Sequence, residues 1–260
     1  MLNKNFSGNS ALKVVIPARY GSSRLPGKPL INLNGLPMIV RVSEAVNKAL
    51  SSTEIVVAID DPRIAEVLKK YNIPFVMTSA DHQSGTDRVS EVARILNWQD
   101  DDIIINVQGD EPLIPGDLIR EFSNFCINKD NFCMGTISVP VESVSQLHDI
   151  NIVKVIVNAN SNAIAFSRSV IPYNRDGDLS TADLAGYLRH IGIYAYRNSI
   201  LQKITHSKPC LIEEREKLEQ LRALWLGIPI HIYLGSEAPP AGVDTADDIE
   251  RVCSILNELK

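Results

Sequence analysis

The chain has 260 residues, of which 45% are hydrophobic and 22% are charged. This balance predicts a globular protein with one substantial core, or one core with an attached lobe. The net charge of −5 argues against general nucleic-acid binding. No apolar run approaches the roughly 18 residues of a membrane helix, and the polar N-terminus lacks the apolar core of a secretory signal. The four cysteines form no C-x-x-C pair, so we expect reduced thiols in a cytoplasmic protein.

The first half of the chain alternates strand and helix patterns. Short apolar runs predict strands at 14–16, 54–59, 74–78 and 102–107, and helical spacing predicts helices at 37–50, after Asp61, at 89–96 and at 115–126. This rhythm predicts an α/β fold with a mostly parallel sheet flanked by helices. Ligands bind beyond the carboxyl ends of the strands in such sheets. The segments after Ile16 and Val107 lie at such ends.

The second half departs from this rhythm. Strand patterns at 133–141, 152–157, 163–168 and 190–196 have little helix between them, and a polar stretch at 173–185 predicts a loop. Helical patterns at 211–225 and 245–259 flank a strand at 229–234. We therefore expect a single domain over 1–260 with an inserted antiparallel lobe at approximately 133–210.

The loop at 17–30 combines three cations, two glycines, two serines and three prolines. Glycine allows backbone geometries closed to other residues and proline stiffens turns, so backbone N–H groups and cations can converge in this loop. This composition predicts a polyphosphate site, with a basic surface loop as the alternative. A P-loop is excluded, because five residues separate Gly21 from Gly27 and Pro29 follows Lys28. The dinucleotide fingerprint G-x-G-x-x-G is also absent.

Two acidic positions are candidate metal ligands. Asp110 follows a predicted buried strand beside Gly109, and Mg²⁺ typically takes one or two protein carboxylates. The alternatives are that Asp110 caps a turn and that Glu111 forms a structural pair with a nearby cation. Asp244 is the second position, although it could equally cap the last helix. The two aspartates lie 134 residues apart, and this spacing does not show that they converge.

Two further segments could contact a ligand. Ser84 opens a predicted helix N-terminus suited to polar ligand groups, although a capping role is the simpler interpretation. Arg88 could reach a ligand or face solvent. The stretch 189–197 alternates strictly, which places His190 and Tyr194 on one face of a strand that could line a sugar pocket or form an exposed edge. The charged residues at 213–219 are typical of a solvated helix face.

Seven segments, in the same order, resemble the 3-deoxy-manno-octulosonate (KDO) cytidylyltransferase family. They are PARYGSSRLPGKPL from Pro17, HQSGTDR from His82, VQGDEP from Val107, FSR from Phe166, YLRHIGIYAYR from Tyr187, LEQLR from Leu218 and GVDT from Gly242. They span nearly the whole chain after residue 12. The resemblance implies a nucleotide-diphospho-sugar transferase-like fold and a homodimer in which the inserted lobe supplies the contact. It also implies CTP and KDO as substrates and Mg²⁺ as cofactor.

The resemblance also implies roles for individual residues. The CTP phosphates would be held by Arg19, Ser23, Arg24 and Lys28. Cytosine and ribose would lie near Ser84 and Arg88. Mg²⁺ would be bound by Asp110 and Asp244, which with Lys28 and Arg24 form the expected catalytic set. KDO would be surrounded by Gln108, Arg168, His190, Tyr194, Glu219 and Gln220. Ser23 stands where many relatives carry Thr, so the hydroxyl is retained.

The implied reaction is attack of the anomeric hydroxyl of KDO on the α-phosphorus of CTP, with loss of pyrophosphate, as a step in lipopolysaccharide synthesis. Positioning and charge neutralisation would dominate catalysis, and no residue is an obvious general base. The nearest alternatives are cytidylyltransferases for 8-amino-KDO or sialic acid. Within the family, His82 and Gln83 favour ordinary KDO over the 8-amino sugar. A metal-dependent glycosyltransferase would not need the loop at 17–30. A non-catalytic nucleotide-binding regulator would not need two acidic metal candidates.

Overall fold

The structure, a computed structural model, describes residues 10–21, 25–175 and 184–258. The first part contains β1 (Leu12–Ala18), a 3₁₀ helix (Lys28–Leu30), β2 (Asn32–Leu33), β3 (Leu36–Pro37), α1 (Met38–Ala49), β4 (Glu54–Ile59), α2 (Pro62–Lys70), β5 (Phe75–Met77), α3 (Gly85–Ile95), β6 (Ile103–Asn106) and α4 (Gly116–Asn128). The second part contains β7 (Met134–Pro140), α5 (Val144–His148), β8 (Lys154–Val157), β9 (Ala163–Ser167), β10 (Leu188–Arg197), α6 (Asn198–Thr205), α7 (Leu211–Glu216), α8 (Gln220–Trp225), β11 (Ile230–Leu234) and α9 (Ala246–Glu258).

The main sheet of the described residues has the strand order β11-β7-β10-β6-β1-β4-β5. Along this path β10 runs antiparallel to both of its neighbours, and the other neighbouring pairs are parallel. The predicted α/β fold with a mostly parallel sheet flanked by helices is therefore confirmed. The same residues contain no helix long and apolar enough to cross a membrane.

The position of β1 in the middle of the sheet explains why its sequence is a continuous apolar run. Val14 and Ile16 belong to the core on one face of the sheet, and Val15 belongs to the core on the other face. A strand covered by helices on both faces is apolar at every position rather than at alternate ones. Because β1, β4 and β6 are parallel neighbours, the loops after them emerge at one edge of the sheet.

The predicted lobe at approximately 133–210 shares two strands with the main sheet. β7 lies between β11 and β10, and β10 lies between β7 and β6. The antiparallel extension proper consists of β8, which pairs with the start of β10, and β9, which pairs with β8. Strand patterns alone did not separate the strands of the main sheet from those of the antiparallel extension, because β10 contributes to both. The loop predicted at 173–185 lies mostly outside the described residues.

The single helix predicted at 211–225 is wrong. α7 ends at Glu216 and α8 begins at Gln220, and between them Lys217 adopts a left-handed backbone conformation with φ of 53°. Lysine rarely adopts this conformation, so the sequence carries no local indication of the break. The break places Glu219 and Gln220 at the start of a new helix instead of in the middle of a long one.

The side chains of 189–197 alternate between the two faces of the sheet as predicted, although β10 contains an irregularity. Ile191 lies opposite Ile137, but Tyr194 lies opposite Thr136, so β10 carries two extra residues at this point. An even number of extra residues leaves the faces of the strand unchanged. Ile191 therefore packs into one core, while Tyr194 packs against the other.

Candidate active site

A cavity of about 330 Å³ opens at the carboxyl edge of the sheet, and we call it the central cavity. It lies where the ends of β1 and β6 meet the N-terminus of α3. Eight of the site residues expected from the sequence line it, namely Arg19, Lys28, Ser84, Arg88, Gln108, Asp110, Glu219 and Asp244. Ser23 and Arg24 lie outside the described residues.

Lys28 lies between the two candidate metal ligands. Its Nζ donates to Asp110 Oδ2 at 2.6 Å and to Asp244 Oδ1 at 2.9 Å. Burial lowers the pKa of Lys28, but attraction and hydrogen bonding to the two carboxylates outweigh this effect, so its pKa is raised overall. The ammonium therefore stays charged at neutral pH. Two carboxylates separated by 134 positions in the sequence thus converge on one cation.

Close backbone approaches bring these carboxylates together. Val243 N donates to the carbonyl oxygen of Asp110 at 2.9 Å. A Cβ at Gly242 would lie 2.7 Å from that oxygen, and a Cβ at Gly109 would lie 2.6 Å from the carbonyl oxygen of Pro17. Any larger residue at either glycine would push the segments apart. The glycines beside Asp110 and Asp244 are therefore required by packing.

The capping alternatives have different outcomes at the two helix starts. Near α9, Asp248 Oδ2 accepts from the backbone N–H groups of Asp244 and Thr245, each at 2.9 Å, while the Asp244 carboxylate accepts from Lys28. At α3, Ser84 Oγ accepts from Asp87 N at 3.1 Å, so the capping interpretation of Ser84 is confirmed. Ser84 nevertheless lines the central cavity as well.

The chemistry of Asp110 and Asp244 suits a magnesium ion that binds together with a phosphate group. Their two carboxylates already hold a cation, the Lys28 ammonium, at hydrogen-bonding distance. No group of three or more metal-ligating side chains occurs in the described part of the chain. Mg²⁺ commonly takes one or two carboxylates and completes its shell with phosphate oxygens and water. The donor set therefore suits a substrate-dependent magnesium site better than a closed structural site.

Glu111 lies beside this pair in a less solvated position. Burial raises its pKa to about 7, the negative charge of Asp110 adds to the rise, and attraction to Arg189 and Lys28 only partly opposes it. Glu111, Arg189 and His190 line an outer cavity of about 370 Å³, to which Asp110 and Asp244 also contribute. The aspartate pair thus lies between two open spaces.

Arg88 does not face solvent. It is 2% exposed, and its Nη2 donates to Asp60 Oδ2 at 3.0 Å. Burial lowers the pKa of Arg88, and the negative charge of Asp60 opposes this effect. Asp60 Oδ1 also accepts from Tyr20 N at 2.9 Å, so this carboxylate joins α3 to the start of the loop at 17–30. Sequence reasoning missed Asp60, although it lies at the carboxyl end of β4, where ligands bind in folds of this kind.

The residues expected around the sugar are only partly brought together. Tyr194, Glu219 and Gln220 line a second space of about 20 Å³, the small cavity, and Glu219 lines the central cavity as well. His190 packs against the ring of Tyr194 at a centroid distance of 5.3 Å. Burial lowers the pKa of His190 to about 3, so its ring is neutral at physiological pH. Gln108 Nε2 donates to the carbonyl oxygen of Gly192 at 3.5 Å, a long hydrogen bond.

Arg168 lies apart from the other expected sugar residues. Its Nε donates to the carbonyl oxygen of Glu216 at 2.7 Å, and its Nη1 donates to that of Ile150 at 2.9 Å. It lines neither the central, the small nor the outer cavity. In this structure Arg168 fastens the end of β9 to the end of α7.

Comparison with known proteins shows the family of this chain. A family model described as cytidylyltransferase matches residues 13–230. A protein named 3-deoxy-manno-octulosonate cytidylyltransferase 2 from Paraburkholderia phytofirmans is 54% identical over 254 residues, which cover 97% of each chain. The chain belongs to the 3-deoxy-manno-octulosonate cytidylyltransferase family. A family member from Thioalkalivibrio sulfidiphilus is 45% identical and covers 95% of this chain and 99% of its own.

A solved structure extends the family likeness to three dimensions. It is the CMP:2-keto-3-deoxy-manno-octonic acid synthetase complexed with CTP, and it matches with a TM-score of 0.88 and 38% identity. The match covers 96% of this chain and 100% of the solved one. The family resemblance, the fold and the nucleotidyltransferase class expected from the sequence are thereby confirmed.

Proposed function

We propose that this enzyme transfers CMP from CTP to the anomeric hydroxyl of KDO and releases pyrophosphate. The observation that carries the proposal is the convergence of Lys28, Asp110 and Asp244 at the wall of the central cavity. A nucleotidyltransferase needs positive charge at a triphosphate and carboxylates for its metal ion, and this wall supplies both. The choice of CTP and KDO rests on the relatives, which carry these substrates in their names.

The triphosphate of CTP would lie along Arg19 and Lys28, with Ser23 and Arg24 assigned to it by the resemblance. Arg19 and Lys28 line the same cavity as the N-terminus of α3. Backbone N–H groups and hydroxyls at a helix N-terminus can receive polar ligand groups. Ser84 and Arg88 line the cavity there, and we assign cytosine and ribose to that side.

Lys28 would exchange one set of hydrogen-bond acceptors, the two carboxylates, for another, the phosphate oxygens of CTP. In the structure its ammonium donates to Asp110 and Asp244. A bound triphosphate would offer it phosphate oxygens, and the two carboxylates would then hold Mg²⁺. The ion would supply charge neutralisation at the phosphates. Lys28 would act as a compact point charge against the transferring phosphate, and the protein would contribute mainly by positioning the reacting groups.

The acceptor sugar would approach from the side of Gln108, His190, Tyr194, Glu219 and Gln220. Gln220 supports this assignment, because its side-chain Nε2 is buried and has no hydrogen-bond partner among the described residues. An unpartnered buried donor is costly unless a ligand satisfies it. The small cavity has room for about one water, so the side chains that line it must move apart to admit a sugar. Arg168 belongs to this set by the resemblance alone.

The resemblance carries three further proposals. They are a homodimer with contacts from the lobe, a cytoplasmic location and a place in lipopolysaccharide synthesis. Among acceptors, 8-amino-KDO and sialic acid remain the alternatives to KDO.

Pyrophosphate release tests the proposed function. Purified enzyme with Mg²⁺ would be given CTP, UTP or GTP, each combined with KDO, 8-amino-KDO or sialic acid. We expect rapid release with CTP and KDO, and weak release when either substrate is replaced. Release with another acceptor but not with KDO would move the assignment to that acceptor. No release from CTP with any of these sugars would refute the proposal.

A further inference from the structure

We propose that Arg222 is a positioning residue for the acceptor sugar, because its ion pair with Glu213 holds the segment 218–220 at the site. This inference rests on the proposed function, which assigns Glu219 and Gln220 to the sugar. Arg222 itself would not touch either substrate. Its role would be to fix the backbone from which the two sugar-binding side chains extend.

The segment needs an external support, since the helices beside it are short. α7 and α8 contain six residues each, and an isolated helix of that length is unstable in water. Lys217, in a left-handed conformation, separates them. Nothing in the local sequence favours this break, so tertiary contacts must hold it.

Arg222 supplies these contacts. Its Nε donates to Glu213 Oε2 at 2.8 Å and its Nη2 donates to Glu213 Oε1, which makes a bidentate ion pair between α8 and α7. Its Nη1 donates to the carbonyl oxygens of Ile204 at 3.3 Å and Ser207 at 3.2 Å, at the end of α6. Glu213 also accepts from Cys210 N at 3.2 Å. One guanidinium therefore joins α6, α7 and α8.

The ion pair is largely removed from solvent. The side chains of Arg222 and Glu213 are 13% and 8% exposed. All three guanidinium nitrogens of Arg222 donate to protein groups, and four of its five N–H groups are used in this way. Arg222 lines the small cavity but not the central one. Because the small cavity lies on the side assigned to the sugar, the hydrogen bonds that hold the guanidinium are what separate a positioning role from a binding role.

The residues that Arg222 positions lie two and three places before it. Glu219 Oε2 accepts from Thr86 Oγ1 at 2.8 Å, which joins the segment to the first turn of α3 beside the central cavity. Gln220 is 5% exposed, and among the described residues its Nε2 has no partner. A shift of the segment would therefore remove both side chains from the sugar while the nucleotide residues that follow β1 and β6 stay in place.

Arg222 also influences the charge of Glu219. Burial raises the pKa of Glu219, and the negative charge of Asp87 on α3 adds to the rise. Hydrogen bonds from Thr86 and Ser84 oppose this rise, and the positive charge of Arg222 on α8 adds a smaller opposing effect. Tyr194 and Tyr196 of β10 are the other titratable neighbours of Glu219. Loss of Arg222 would thus weaken the sugar site through charge as well as through position.

The test compares Michaelis constants for the two substrates. For Arg222→Met we expect the KM for KDO to rise about tenfold or more, while the KM for CTP stays within about twofold of the wild-type value. Arg222→Lys should give a smaller rise in the KM for KDO, because lysine keeps the positive charge but cannot form the bidentate pair.

Arg41→Met is the matched control. Arg41 donates to the carbonyl oxygens of Leu33 and Asn34, and we expect its replacement to leave the ratio of the two KM values unchanged.

A double variant separates folding from positioning. Removing one member of a buried ion pair is destabilising, whereas replacing both by apolar residues is often tolerated. We expect Glu213→Leu with Arg222→Met to melt near the wild-type temperature and still show the raised KM for KDO. A folded double variant with a wild-type KM for KDO, or one with equal rises for CTP and KDO, would overturn the inference. Wild-type enzyme that releases no pyrophosphate from CTP and KDO would instead refute the proposed function.

Discussion

Arg19 and Asp110 follow closely on the parallel strands β1 and β6, whereas Glu219 and Gln220 follow a break between two short helices. The end of the site proposed for the nucleotide, here called the nucleotide end, is therefore attached to two adjacent strands in the middle of the sheet. The sugar end depends on β10, on α8 and on a buried ion pair. Parallel strands place the ends of neighbouring loops together whatever the loops contain. Short helices acquire their position only from the contacts around them.

This difference has a functional consequence. Changes at the nucleotide end should affect the chemical step and leave the fold intact, because the strands below remain packed. Changes around the sugar end should affect recognition of the acceptor first. Three substitutions test this contrast, beginning with the one whose effect should be greatest.

Asp110→Asn should lower kcat by about 100-fold or more, because it removes a charge that would bind the metal ion at the reacting phosphate. The Asp110 side chain is 38% exposed, so its neutral isostere should change the melting temperature little. Steady-state kinetics and a thermal melt on the same preparation measure the two effects. Near-normal turnover in this variant would show that Asp110 is only a turn residue.

Lys28→Met should increase the affinity of the nucleotide-free enzyme for Mn²⁺ about tenfold, since it removes a positive charge within 2.6–2.9 Å of both carboxylates. The same variant should be a poor catalyst. Titration of Mn²⁺ by calorimetry or electron paramagnetic resonance, without nucleotide, measures the change. Arg63→Met, which removes a surface cation paired with Asp61, is the control and should bind Mn²⁺ as the wild type does. Equal affinities for Lys28→Met and wild type would mean that Lys28 does not compete with the ion.

Thr86→Val should have the smallest effect, a rise of about threefold in the KM for KDO, because it removes one hydrogen bond to a carboxylate. Thr86 Oγ1 is the donor to Glu219 that joins the two ends of the site. The KM for CTP should stay near the wild-type value. A larger rise for CTP than for KDO would mean that this bond supports the nucleotide end instead.

The residues after β1 and β6 that line the central cavity could be predicted from the sequence, for an identifiable reason. Continuous apolar runs marked β1, β4 and β6, and polar residues directly after such strands lie at the ligand edge of a parallel sheet. Asp110 and the loop containing Lys28 were found in this way. The same rule applied to β4 would have identified Asp60, which interacts with Arg88 in the structure. The likeness of seven segments to one family supplied what the strand pattern could not, the nature of the nucleotide and the sugar.

Other features could not be found from local patterns, since each depends on residues far apart in the chain. The meeting of Asp110 with Asp244 requires the contact of Val243 N with the carbonyl oxygen of Asp110. The position of Glu219 requires the left-handed turn at Lys217, which is held by a bond between Arg222 and Glu213. The mostly parallel sheet, its flanking helices and the family could thus be predicted from the sequence, because they follow from apolar periodicity and from short motifs. The convergence of the charged groups and the break in the helix arise from backbone approaches and buried pairing, and these exist only in the folded chain.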